Sequence, residues 1–356
     1  MKKMKIGILT FHAAHNYGAV LQCYALKEYL QSLGHVVTII DYRQKYLLAC
    51  YKWFNLKTLV KAAISGNLFT TCRNMLTKKT RGRKFDDFTK RMFELSDPSL
   101  LNTDFYDYVV IGSDQVWSTK LTNGYDDYYW GQFKHPTKTK IISYAASLEI
   151  LWGPKEDFTV QSKLKSFYRI STREKELANK IHSLLPGKDV VTCVDPTLLL
   201  DSEKWGKLAI KPNINEKYVF YYQVRHSQMG LDFAKKVSLE KNCKLLVLSA
   251  DVKNENTDDI KNASPEELLG LIKYAECVIS SSFHGTVFSV IFKKQFFSIS
   301  NGTKDSRVRN LLEGLHLMNH FVESSDFKID TSSTIVDDDK LQDYIKSSVE
   351  YLKLIK

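Results

Sequence analysis

Short apolar runs rich in valine and isoleucine recur along this chain, each closed by a polar loop and followed by a longer amphipathic segment. That alternation constrains the fold more than any other feature, because it is the pattern of helices wrapped on parallel sheets. Lys5–Leu9 predicts a first strand. Ala19, Val20, Cys23, Leu26, Leu30 and Leu33 then recur at helical spacing, and Gly34 supplies the stop. Further strands are expected at Val36–Ile40, Tyr108–Ile111, Ile141–Ala145, Tyr168–Ile170 and Val190–Val194. A second series begins near Lys217, with strands at Tyr218–Tyr222, Lys244–Leu248, Cys277–Ser280 and Phe296–Ile299. Its helices are expected at Gln228–Glu240, Pro265–Ile272 and Gly285–Phe292.

Two such series in 356 residues predict two Rossmann-like α/β domains, 1–210 and 211–356, facing one another across a cleft. The KPNINEK stretch, Lys211–Lys217, is the expected linker. No window approaches the roughly 20 apolar residues that a membrane span needs. The opening MKKMKIGILTFHAAHNYG turns polar too soon for a signal peptide. The six cysteines form no CxxC pair, and most fall in apolar runs, where a thiol acts as a small hydrophobe. A cytoplasmic enzyme or binding protein is the expectation.

The net charge of +11 is concentrated. Residues 43–94 hold thirteen Lys or Arg against three acidic residues, a surplus of ten, interleaved with Tyr46, Leu48, Tyr51, Trp53, Leu56 and Val60. This segment reads as a basic helical insert in the first domain. Either its apolar face packs on that domain as a solvated hairpin, or it lies in an anionic membrane interface, which would make the protein peripheral to the membrane. Nucleic acid is not an expected partner, because no nucleic-acid module accompanies the charge.

None of the sixteen glycines lies two or five positions from another, so both G-x-G-x-x-G and GxxxxGK are absent. An anion must be held some other way. In open α/β sheets ligands collect at the carboxyl ends of strands, where helix N-termini point their amides. Five such ends carry unusual residues: HAAHNYG (His12–Gly18), GSDQVW (Gly112–Trp117), SYAASLE (Ser143–Glu149), STRE (Ser171–Glu174) and SSSFHG (Ser280–Gly285). Asn16 and the serines could simply cap helices. Asp195–Pro196 reads as a cap followed by proline, Trp117 as core, and His12 and His15 as structural first. Asp126–Asp127 and Asp337–Asp339 read as solvated loops, not metal ligands. Arg173 and His284 differ. An arginine at a helix N-terminus gains nothing from the dipole, but makes sense if it shares an anion with the amides. His284 stands between serines and an apolar helix, which leaves it facing the loop, and Gly285 permits close backbone approach.

In this order the segments NYGAVLQCYAL, GSDQVW, SYAAS, STRE, VDPTLLL and SSFHGTVFSVIF resemble the polysaccharide pyruvyl transferase family. The resemblance implies a fold like that of the two-domain glycosyltransferase-B enzymes. It also implies transfer of the pyruvyl unit of phosphoenolpyruvate onto two hydroxyls of a sugar, making a cyclic ketal and releasing phosphate. No cofactor besides this donor is implied, and no metal is assigned. The family's functional Arg and His fall on Arg173 and His284. Many relatives carry an arginine two residues before the histidine. Here that position is Ser282, so a further cation must come from elsewhere, with Arg225, Arg307 and Arg309 as candidates.

On this reading His284 is the proton donor, Asp114 or Glu149 takes a hydroxyl proton, and Arg173 neutralises the donor. Asn16, Tyr17, Gly18, Ser113, Ser147, Ser282 and Gly285 complete the binding set. The acceptor would be a sugar of a cell-surface or capsular polysaccharide precursor, carried on a lipid if the basic insert meets the inner face of the cell membrane. A nucleotide-sugar glycosyltransferase of the same fold and a non-catalytic carbohydrate- or membrane-binding protein are the alternatives.

Overall fold

The structure, a computed structural model, describes residues 2–356 except 53, 55, 225, 250–259, 303–304, 325–326 and 328–336. Along the chain run β1 (Lys5–Leu9), α1 (Tyr17–Ser32), β2 (Val36–Ile40), α2 (Lys45–Ala49), α3 (Leu56–Ile64), α4 (Leu68–Met92), β3 (Leu95–Ser96) and β4 (Tyr108–Asp114). Next come α5 (Thr119–Thr122), β5 (Lys140–Ala146), α6 (Asp157–Leu164), β6 (Ile170–Thr172), α7 (Lys175–Leu184), β7 (Val190–Thr192) and α8 (Ser202–Leu208). The remainder is β8 (Tyr218–Gln223), α9 (Gln228–Glu240), β9 (Lys244–Ser249), α10 (Pro265–Lys273), β10 (Cys277–Ser280), α11 (Phe283–Ile291), β11 (Phe296–Ile299), α12 (Ser306–Gly314), β12 (Phe321–Val322) and α13 (Asp338–Lys353).

Two parallel α/β units result, as the alternating pattern implies. The first comprises residues 1–51, 89–200 and 342–356. Its seven strands are ordered β3-β2-β1-β4-β5-β6-β7, and every pairing is parallel. Val109, Val110 and Ile111 in β4 are fully buried, as expected of a strand covered on both faces. Trp117 is core, stacked on Trp130 and tilted against Trp152, with its indole N–H donated to the Tyr129 carbonyl at 3.0 Å.

The second unit comprises residues 52–88 and 201–341, with strands ordered β12-β11-β10-β8-β9, again all parallel. The units thus divide the chain differently from the linear expectation. The basic segment from 52 to 88 groups with the second sheet, and residues 342–356 group with the first. The second unit also begins before the expected linker. Ile210 donates its amide to Glu266, and a Cβ on Gly270 would lie 1.6 Å from the Ile210 carbonyl oxygen, so residues just before 211 are already packed on α10.

Each sheet has one switch point, where successive connections leave in opposite directions: β1 beside β4 in the first, β8 beside β10 in the second. Crevices for ligands open at the carboxyl ends of such strand pairs. Several expected strands begin and end where the pattern put them. β6, however, lies two residues later than expected, because Ser171 and Thr172 are polar yet fully buried, while Tyr168 is exposed.

Candidate active site

At the first switch point the strand ends carry most of the predicted residues. Asn16 caps α1, its side-chain oxygen accepting from the Ala19 amide at 3.2 Å. Tyr17 and Gly18 are buried in the first turn. Here the capping role of Asn16 is realised, and the Tyr17 and Gly18 amides open a 16-residue helix. β4 ends in a tight approach to β5. Gly112 has φ +113°, and a Cβ there would lie 2.5 Å from the Tyr144 carbonyl oxygen, so only glycine fits. Ser113, fully buried, donates its hydroxyl to the Ala145 carbonyl at 2.8 Å. Asp114 is half-buried with φ +77°, its carboxylate accepting from the Gln115 amide at 2.8 Å.

Arg173 differs from its expected setting. It is 8% exposed, and its guanidinium Nη2 lies 2.8 Å from Asp195 Oδ2 and donates to Ser113 Oγ at 2.5 Å. Asp195 is a cap, as expected, accepting from the Thr197 amide and hydroxyl through Oδ1. It is also the counterion of Arg173, which its place in sequence did not reveal. The pairing follows from topology: β6 and β7 are neighbours, so the residues just past their ends meet. Ser147 likewise donates its hydroxyl to buried Glu174 at 2.6 Å, and Ser143 and Ser171 bond each other's strands. The serines of SYAAS therefore satisfy buried polar groups. Glu149, half-buried, follows two residues later.

His12 is fully buried, with Nε2 2.9 Å from Asp41 Oδ1. The His12 hydrogen bond, together with Arg43 at 2.7 Å, pulls the Asp41 carboxyl down to about 2, against a smaller opposing effect of burial.

The second switch point holds His284. Ser282 caps α11, accepting from the Gly285 amide at 3.4 Å, and its own amide is held by Ser280 Oγ at 3.0 Å. A Cβ on Gly285 would lie 2.1 Å from Ser280 Oγ and 2.9 Å from the Tyr222 ring, so glycine lets α11 sit against β8 and β10. His284 is half-buried in the first turn of α11, edge-on to Phe283 with ring centroids 5.1 Å apart.

Of the three arginines expected near His284, Arg307 places its guanidinium carbon 5.8 Å from the Phe283 ring centre. Arg309 instead pairs with Glu323 and stacks on Phe321 at 4.4 Å. Arg225 lies outside the described residues. A fourth arginine, unforeseen, is Arg81 of α4. Burial pushes the Tyr222 phenol up to about 12, and both its hydrogen bond with Ser282 and the positive charge of Arg81 oppose that rise. Tyr222 thus sits against Ser282 and Gly285, within the field of the Arg81 charge. Lys84, three residues on, pairs with Glu267 of α10 at 2.6 Å and fixes α4 on this unit.

Among the described residues, no group of three or more His, Cys, Asp or Glu is arranged to hold a metal ion, and no helix is long and apolar enough to cross a membrane.

Two parallel α/β units with polar side chains at their switch points define the class of fold. The polysaccharide pyruvyl transferase family model matches residues 16–303, and the chain belongs to that family. It is accordingly a transferase of polysaccharide biosynthesis, with a sugar or polysaccharide acceptor. No curated protein sequence matches it significantly. Among solved structures it is similar to the spinosyn rhamnosyltransferase SpnG (11% identity, 99% of this chain and 97% of that one, TM-score 0.43). It is also similar to a putative UDP-N-acetylglucosamine 2-epimerase from Listeria monocytogenes (9%, 99% and 88%, TM-score 0.48). The UDP-GlcNAc 2-epimerase from Methanocaldococcus jannaschii is a third (9%, 97% and 92%, TM-score 0.46).

Proposed function

We propose that this protein transfers the pyruvyl unit of phosphoenolpyruvate onto two hydroxyls of one sugar in a polysaccharide precursor. A proton adds to the donor's methylene carbon, and a sugar oxygen bonds to C2. The C2–O bond to phosphate then breaks, and a second hydroxyl of the same sugar closes the ketal as its proton leaves. One donor and one diol give one ketal and one inorganic phosphate.

The observation that carries this reading is the β8–β10 switch point, where His284, the α11 amides, Arg81 and Arg307 belong to one unit of a chain in this family. His284 supplies the proton to carbon or to departing phosphate. Arg81 and Arg307 take the neutralising role that Ser282 cannot perform. Of the two hydroxyl protons released, one balances the proton given to the methylene carbon and the other leaves on the phosphate. Arg173, already engaged with Asp195 and Ser113, serves as a positioning residue that fixes the end of β4, not as an open fork for the donor.

The test is release of inorganic phosphate from phosphoenolpyruvate against free and lipid-linked sugars bearing vicinal or 4,6-diols. Acceptor-dependent release, matched by ketal formation, is expected. His284→Ala should lower it at least ~100-fold, the scale of a lost general acid. Arg81→Ala should weaken donor binding and raise the KM for phosphoenolpyruvate about 10-fold or more, as for a lost charge-assisted contact. Turnover of a nucleotide sugar with no phosphate released from phosphoenolpyruvate would replace this reading with a glycosyltransferase.

A further inference from the structure

The segment that carries Arg81 also carries a surface that the proposed reaction does not use. α3 turns Leu59 and Ala62 inward and leaves Leu56, Val60 and Ile64 exposed at i, i+4 and i+8, with Ile64 84% exposed. Past the Ser65–Asn67 turn, Phe69 is 82% exposed and Leu76 is exposed seven residues on, again one helical stripe. A soluble surface seldom concentrates large apolar side chains this way. Basic residues flank both stripes: Lys57 and Lys61 on α3, Arg73 on α4, all exposed. From Tyr42 to Phe85 the sequence contains no Asp or Glu.

We propose that α3 and the first half of α4 dock on an anionic lipid bilayer. Leu56, Val60, Ile64, Phe69 and Leu76 would enter the boundary between headgroups and acyl chains, and the lysines and arginine would meet the headgroup phosphates. Charge selects the occupant. Outside residues 43–94 the chain has 38 basic and 37 acidic residues, so a second copy offers no acidic excess to match this one. A nucleic acid would want aromatic faces for its bases, whereas these stripes are mostly aliphatic. The surface adds to the proposed reaction the means to reach a lipid-borne acceptor. It stands apart from the donor chemistry, so vesicle binding and phosphate release can fail independently.

The experiment is flotation of the full-length protein with vesicles of phosphatidylcholine alone or with about a third phosphatidylglycerol, at about 0.1 M salt. Flotation with the anionic vesicles and not the neutral ones is expected, weakening as salt is raised. Lys57→Gln/Lys61→Gln should lower partitioning at least about tenfold, since each basic residue near such a surface contributes about fivefold. Ile64→Asp and Phe69→Asp should do the same while leaving acceptor-dependent phosphate release with a free sugar unchanged, which also shows that the variants fold. Absence of flotation with anionic vesicles, or flotation indifferent to these substitutions, overturns the proposal. So does a protein that dimerises, or binds single-stranded nucleic acid, through the same side chains without binding vesicles.

Discussion

Arg173 and Asp195 show how far one residue's neighbourhood can depart from its place in sequence. Both side chains are buried, 4% and 0% exposed, so removing one strands a charge in a low-dielectric interior. Arg173→Ala should therefore destabilise the protein by about 3–5 kcal/mol, measured by urea unfolding. Arg173→Met/Asp195→Leu should recover most of that loss without restoring turnover. Full recovery of turnover in the double variant would show that the pair does nothing for the reaction. A second residue-scale expectation concerns acid. Asp41 is held at about 2 by His12 and then Arg43, below the usual value near 3.8. A depressed carboxylate stabilises the fold above its unfolded value and loses that contribution as pH falls through the folded one. Stability should thus decline between about pH 4 and pH 2, and Asp41→Asn should flatten that part of the unfolding profile. Residue identities in the site were legible because polar groups at apolar strand ends stand out. Partners were not: Asp195 reads locally as a cap, and Arg81 lies far from His284 in sequence, with only its i, i+4, i+7 spacing to the buried Phe85 and Phe88 as a clue.

At the scale of elements, strong periodicity carried well. α9 falls on the expected residues, and β1, β2, β10 and β11 do too. β3 and β12 were invisible, since two residues cannot display a period of two. α11 begins two residues before its expected start, because its cap is Ser282, one of the serines read as possible caps. α13 is the element whose importance its amphipathic, highly charged sequence conceals. Ile345, Tyr351 and Leu352 on it, and Ile355 just beyond, are buried. Its Tyr351 hydroxyl donates to the Ser143 carbonyl at 2.8 Å, and Ser348 Oγ accepts the Val194 amide at 2.8 Å. Burying each such apolar side chain contributes about 1.5–3 kcal/mol, and four together are comparable with the roughly 5–15 kcal/mol that holds a whole protein folded. Deletion of 342–356 should leave a chain that is unfolded or insoluble, read by near-UV circular dichroism. A soluble truncated protein with a native near-UV spectrum would contradict this.

For the whole molecule, the alternating pattern announced two α/β units, and composition located the charge. Neither announced which residues belong to which unit, because a partition is set by packing between distant segments and leaves no local period. The backbone changes unit four times, after Tyr51, Phe88, Leu200 and Leu341. No single uninterrupted length of the sequence therefore encodes either unit. A chimaera spliced from two relatives at one breakpoint near residue 200 would inherit a first half carrying the wrong parent's α3 and a second half carrying the wrong parent's last helix. Grafting 52–88 and 201–341 together would instead move a complete inheritance, with Arg81 and His284 still from the same ancestor.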